Sequence, residues 1–143
     1  GWYYPPHIVK AIGAPNYLNP LFKEKKYSGI DSAHFDVIKK GMLDVIEAGT
    51  GAGVRMSELK ACGKTGTTQN PHGANHSLFV AFAPYENPKI VVSVIVENSG
   101  YGSTWAAPIA SLIMEHYIYG KVMRKDLENR MLNGVINYSN HKK

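Results

Sequence analysis

His76-Ser77-Leu78-Phe79-Val80-Ala81-Phe82-Ala83-Pro84-Tyr85-Glu86-Asn87-Pro88-Lys89-Ile90-Val91-Val92-Ser93-Val94-Ile95-Val96-Glu97 is the stretch that decides the fold. Two runs rich in β-forming residues, 76–83 and 89–97, flank Pro84 to Pro88, a loop whose length and composition close an antiparallel hairpin. In the second run Val92, Val94 and Val96 alternate with Val91, Ser93 and Ile95, so both faces are apolar and helices are expected to cover both. Upstream, residues 57–68 read as a third extended stretch. The sum is an antiparallel three-strand meander in the order 57–68, 76–83, 89–97.

Further out, Asp31 or Ser32 is a plausible N-cap, after which Phe35, Ile38, Met42, Val45 and Ile46 recur at helical spacing until Gly49. Helix 32–48 follows, and Gly49 to Gly53 breaks it. Beyond the meander, Ser103 or Thr104 can cap a helix through about Tyr119, with Pro108 tolerated only near its first turn. The fold class is therefore α/β, an antiparallel β-meander with helices 32–48 and 104–119 packed on it. The organisation reads as an extended and loop lead-in over 1–30, a helix–meander–helix body over 31–120 and a C-terminal tail over 121–143. Within the lead-in, residues 2–12 are extended and broken by Pro5-Pro6, and 13–30 are loop-like. The tail carries one short helix near 124–132.

With 143 residues, 44% of them hydrophobic, the chain has material for one core. The net charge of +5 is scattered apart from Lys23 to Lys26 and Lys142-Lys143, so no nucleic acid is expected as a partner. The lone Cys62 cannot form an intrachain disulfide. Residues 90–96, the most apolar run, are too short to span a bilayer, and the N-terminus lacks a signal-peptide pattern, so the piece as given is expected to be soluble. Its start, Gly1-Trp2-Tyr3-Tyr4-Pro5-Pro6, has no initiator Met and begins on aromatic residues that need packing, which is expected of a fragment.

Chemistry concentrates in Gly63-Lys64-Thr65-Gly66-Thr67-Thr68-Gln69, read as the end of a strand with small or hydroxylated residues facing outward. Alone, such a triplet is as compatible with a solvated lysine and a turn glycine. Its surroundings distinguish it: His76 to Pro84, Asn87-Pro88-Lys89, an apolar strand, Glu97-Asn98-Ser99-Gly100, and Ala106-Ala107-Pro108-Ile109-Ala110 opening a helix. Upstream stand Pro5-Pro6-His7-Ile8-Val9, Lys40-Gly41-Met42 and Gly49-Thr50-Gly51. This succession resembles the C-terminal part of the transpeptidase domain of class B penicillin-binding proteins, above all the elongation-type group called penicillin-binding protein 2. The likeness covers nearly the whole chain, fading after about residue 120.

The resemblance implies a partial penicillin-binding or serine β-lactamase-like transpeptidase fold, a peptidoglycan D,D-transpeptidase as parent, and a site without metal or cofactor. It implies that Lys64 supplies positive charge, that the Thr65 and Thr67 hydroxyls bind the terminal carboxylate of a D-alanyl-D-alanine stem peptide or a β-lactam, and that the Thr67 N–H is one oxyanion-hole donor. Lys64 can also help hold a neighbouring lysine neutral, as a base must be. Gly66 leaves room for a substrate backbone. The parent is expected to be anchored in the inner membrane and to face the periplasm, its N-terminal part packing on this one. A D,D-carboxypeptidase or serine β-lactamase of the same superfamily, or a non-catalytic α/β peptide-binding module, are the alternatives.

Such enzymes also carry Ser-x-x-Lys and Ser-x-Asn motifs. Ser57-Glu58-Leu59-Lys60 matches the first in letters, but lies on the same extended segment as Lys64 and cannot face it across a cleft, so the nucleophile is expected outside this chain. No Ser-x-Asn occurs, and the related Tyr-x-Asn occurs at Tyr17, Tyr85 and Tyr138, too often to be specific. A phosphate-binding loop ending in Gly63-Lys64-Thr65 would need Gly where Glu58 stands. His72 and His76, four apart in a loop with Cys62 across the strand, lack further zinc ligands and are expected to be solvated, and His34 serves a helix surface.

Overall fold

A computed structural model describes residues 1–14 and 17–136. Two compact units are present, Gly1–Ile38 and Lys39–Lys143. In the first, β1 (Trp2–Tyr3) pairs antiparallel with β2 (Lys26–Tyr27), Trp2 opposite Tyr27. Pro5-Pro6 lack the N–H donors that a longer ladder would need. A 3₁₀ turn at Pro20–Lys23 is capped by Asn19, whose Oδ1 accepts from Leu21 N at 3.0 Å. The His7 ring stacks on Phe22 at 4.6 Å, and Lys25 Nζ lies 4.2 Å from the centre of the Trp2 ring.

Helix α1 spans Ser32–Glu47. Of the two candidate caps Asp31 does the work, its Oδ1 accepting from Ala33 N at 2.8 Å. Of the predicted apolar stripe only Ile46 is buried, joined by Leu43, whereas Phe35 and Ile38 stay exposed. Within the second unit, which takes α1 from Lys39 onward, the helix joins the core at its last turns through Ile46.

The second unit holds the meander, β3 (Cys62–Thr68), β4 (His76–Ala83) and β5 (Ile90–Val96), antiparallel in the order β3-β4-β5. The first strand begins at Cys62 and not at 57, because its partner gives out. Cys62 pairs with Phe82, and one residue past Ala83 comes Pro84, which has no N–H to offer. Before Cys62 the chain leaves the ladder, with a 3₁₀ turn at Ala52–Val54 and a single bond from Tyr85 N to Lys60 O at 2.8 Å.

Helix α2 (Ala106–Tyr119) covers one face of the sheet. Its buried Ala106, Ala107 and Ala110 are small enough to let the helix approach Phe79, Ala81 and Val92, and Met114 completes the core with Ile46, Val54 and Leu59. Neither Ser103 nor Thr104 caps it. The helix starts two residues later and takes its cap from the sheet, since Ala106 N donates to Ser77 Oγ at 3.1 Å, and Ser77 Oγ donates to Tyr101 O at 3.0 Å. Pro108 falls in the first turn, where no intrahelical donor is lost.

The expectation that helices cover both faces holds only in part: α1 reaches the face away from α2 at its Cys62 end, where Cys62 Sγ donates to Lys39 O. On the face away from α2, Val80, Val91 and Ile95 are exposed, Val91 to 78%. Among the described residues no second helix covers them. Helix α3 (Lys125–Asn133) follows α2 and is tied back by Arg124, whose Nε donates to buried Glu115 Oε1 at 3.2 Å and whose Nη1 donates to Val54 O at 3.2 Å. Among the described residues no helix is long and apolar enough to cross a membrane. Lys142 and Lys143 lie outside the described residues.

Candidate active site

Among the described residues β3 is an edge strand, paired only with β4. The triplet occupies its middle and not its end. Successive side chains point to opposite faces. Thr65 and Thr67, opposite Phe79 and Ser77, share the α2 face, while Lys64 and Gly66, opposite Val80 and Leu78, share the other. One short strand therefore offers a cation on one face and two hydroxyls on the other, beside an edge of backbone groups with which no other described strand pairs. Lys64 is exposed and its Nζ donates to Thr65 O at 2.7 Å, curling along the strand. Thr67 is exposed, and Thr65 is half-buried with its Oγ1 2.8 Å from Thr50 Oγ1.

The strand is held at three points, from both of its faces. A β-carbon on Gly63 would collide with the Phe79 ring, so the glycine before Lys64 is what lets β3 lie flat on the core. Gly102 approaches the Gly66 backbone in the same way. Cys62 is fully buried, its Sγ donating to Lys39 O at 3.5 Å, and burial pushes its thiol up to about 11 against a smaller opposing pull from Lys39.

Beyond Thr68 the loop to β4 is stitched to the loop after β5. Asn70 Nδ2 donates to Asn98 Oδ1 at 2.6 Å, Asn98 N donates to His76 Nδ1 at 3.0 Å, and Gly100 N donates to Asn75 O at 2.8 Å. Gly73, Asn75, Ser99, Tyr101 and Thr104 border a cavity of about 410 Å³ between these loops.

A model of the penicillin-binding protein transpeptidase domain matches residues 1–115. The chain belongs to the penicillin-binding protein transpeptidase family. The peptidoglycan D,D-transpeptidase MrdA of Haemophilus influenzae is 36% identical to it, over 79% of this chain and 20% of that protein. Penicillin-binding protein 2 of Pseudomonas aeruginosa, solved in complex with WCK 5153, is 32% identical with a TM-score of 0.66, covering 87% of this chain and 28% of that one. Penicillin-binding protein A of M. tuberculosis, solved as a ceftriaxone acyl-enzyme complex, is 28% identical with a TM-score of 0.52, over 57% of this chain and 20% of that one. The chain spans about a fifth of the length of the curated relative. Both the class B assignment and the α/β penicillin-binding fold implied by the motif succession stand.

Within this transpeptidase domain the other sequence candidates fall elsewhere. Ser57 and Lys60 are exposed and lie in irregular chain, not on a helix, and Ser57 borders a separate cavity of about 310 Å³ with Arg55, Glu58 and Arg124. Tyr85 sits in the β4–β5 loop, at the Cys62 end of the sheet, and Tyr17 is exposed in the first unit. Tyr138 lies outside the described residues. His72 is an exposed turn residue, as expected, but His76 is not a solvated loop histidine: it opens β4, half-buried, with the Asn98 bond. His34 is exposed on α1.

Sequence reasoning missed Thr50, Ser77 and Gly102. Thr50 stood in a glycine-flanked landmark, which is a signal. Ser77 and Gly102 act through contacts between distant segments, for which one sequence carries none.

Proposed function

We propose that the protein is a serine-acylating peptidoglycan D,D-transpeptidase, and that this chain, the C-terminal part of its transpeptidase domain, forms the wall holding the donor's terminal carboxylate. What carries the reading is the display of Lys64, Thr65 and Thr67 along the edge strand of a matched transpeptidase domain. It is supported by the relative solved as a ceftriaxone acyl-enzyme and by the D,D-transpeptidase relative. Residues 1–30 are the lead-in to this wall, 31–120 its body and 121–143 its tail.

In the mechanism, a serine oxygen attacks the penultimate D-alanyl carbonyl and passes its proton to a neutral lysine amine. Both residues come from outside these 143, since Ser57-Glu58-Leu59-Lys60 is not helical and borders another cavity. The Thr67 N–H takes half the charge of the tetrahedral oxyanion, and the loss of one such donor costs about 3 to 4 kcal/mol. Collapse breaks the amide bond, D-alanine leaves with the proton, and an amine of a neighbouring stem peptide attacks the acyl ester, returning the proton to serine. Lys64 favours the anionic donor and keeps the catalytic lysine deprotonated. The Thr65 and Thr67 hydroxyls donate to the donor carboxylate, and a β-lactam takes the donor's place. No cofactor is called for. The protein works from an inner-membrane anchor on the periplasmic side.

The test uses the full-length protein with a D-alanyl-D-alanine stem peptide and an amine acceptor. Cross-linked product with D-alanine release is expected, together with labelling by a fluorescent penicillin. Hydrolysed donor without cross-links would move the protein to the carboxypeptidase class. Absence of both D-alanine release and labelling would refute the proposal. The 143 residues alone are expected to stay unlabelled, and an adduct on Ser57 would overturn the placement of the nucleophile.

A further inference from the structure

Thr50 lies in the turn after α1, fourteen positions before Lys64, and nothing in its own neighbourhood of sequence demands a hydroxyl there. The turn is nevertheless fixed with some care. Gly51 N donates to Val45 O at 2.9 Å, Ala52 N to Gly49 O at 3.0 Å, and Val54 N to Gly51 O at 3.0 Å. Arg124 Nη1 then clamps Val54 O from α3's side at 3.2 Å. The result of this bracing is that Thr50 Oγ1 stands 2.8 Å from Thr65 Oγ1.

A hydroxyl has one proton and two lone pairs. If Thr65 gives its proton to a carboxylate, the only part left to it in the bond with Thr50 is that of acceptor, and Thr50 must donate. We infer that Thr50 is a positioning residue: by donating to Thr65 Oγ1 it fixes that side chain's rotamer and leaves the Thr65 proton aimed at the carboxylate of the donor peptide or β-lactam. This rests on the transpeptidase reading and assigns a new role within it. The chain of hydrogen bonds from Thr50 through Thr65 to the carboxylate polarises each member, so the pair binds an anion better than a lone threonine. Without Thr50 the Thr65 side chain is free to turn among staggered rotamers and must be ordered when the ligand arrives.

Second-order acylation rate constants of the full-length protein decide it, measured with a penicillin and with its methyl ester for Thr50→Val, Thr50→Ala, Thr50→Ser, Thr65→Val and the double valine variant. With the carboxylate ligand, Thr50→Val and Thr50→Ala are expected to slow acylation about 5- to 10-fold, the effect of one hydrogen bond, while Thr50→Ser stays near wild type. With the ester the Thr50 variants should match wild type. Because Thr50 acts only through Thr65, adding Thr50→Val to Thr65→Val should change nothing further. A slow Thr65→Val beside an unaffected Thr50→Val and Thr50→Ala removes the role of Thr50 and leaves the transpeptidase reading intact. So do equal losses on acid and ester, or single losses that multiply in the double variant. If Thr65→Val itself acylates at the wild-type rate, the carboxylate role of the strand fails first, and that of Thr50 with it.

Discussion

Gly102 lies against Gly66: a β-carbon on Gly102 would stand 2.6 Å from Gly66 O and 3.1 Å from Gly66 N, and would strike Leu78 O as well. The loop leading into α2 thereby touches the backbone of the triplet strand itself. That loop is in turn held by Ser77, which accepts from Ala106 N and donates to Tyr101 O.

Gly102→Ala should therefore lower both stability and activity. The atoms it would strike are backbone, which cannot swing aside, so the strand or the loop must move, at about 1 to 3 kcal/mol. Urea midpoints of the full-length variant should fall, and acylation should slow beyond the thermal loss because β3 shifts. An alanine that leaves both unchanged would show that the contact is slack.

Arg124 should matter out of proportion to its distance from the site. Glu115 is 2% exposed, and although its Oε2 also accepts from Met123 N at 3.1 Å, removing the guanidinium leaves a buried carboxylate without its charge partner. Arg124→Met is expected to cost about 3 kcal/mol, and the paired change Glu115→Leu with Arg124→Met to cost less than the single one. Equilibrium unfolding of the three proteins tests this. The single variant should also loosen the Val54 turn and, through Thr50, slow acylation.

Cys62 sets a pH dependence of stability whose sign can be stated. Burial raises its thiol from 9.0 to about 11 in the folded chain. Below the lower value both folded and unfolded forms hold the proton and nothing changes. Between the two, the unfolded chain gives up the proton while the folded one keeps it, so stability falls as pH rises. Unfolding midpoints of wild type and Cys62→Ala, followed through this window, should diverge with wild type losing more.

Much of this was legible in the sequence because it rests on local signals. Strand β4 is legible to the residue, β5 to within one at each end, and α1 to within one at its C-terminal end, since alternation, a proline-rich loop, the Asp31 cap and Gly49 are local. The start of β3 was not, because it depends on where the partner strand meets Pro84. The start of α2 was misplaced for a related reason, its cap being Ser77, 29 positions away in sequence. In the candidate site the triplet announces itself and Gly49-Thr50-Gly51 marks a turn, whereas the contact of Thr50 with Thr65 and that of Gly102 with Gly66 join distant segments and leave no local pattern.

The central claim is that β3 is a wall of an acylation site, and second-order acylation rate constants of the full-length protein across pH test it most directly. On the proposed mechanism Lys64→Ala removes a charge that acts on the ligand and on the catalytic lysine, and should slow acylation about 100-fold with a shifted pH profile. Thr67→Val keeps the backbone N–H and loses one hydroxyl, so about 1.5 to 3 kcal/mol should disappear with a carboxylate-bearing penicillin and much less with its ester. Wild-type rates for Lys64→Ala, at every pH and with either ligand, would contradict the account.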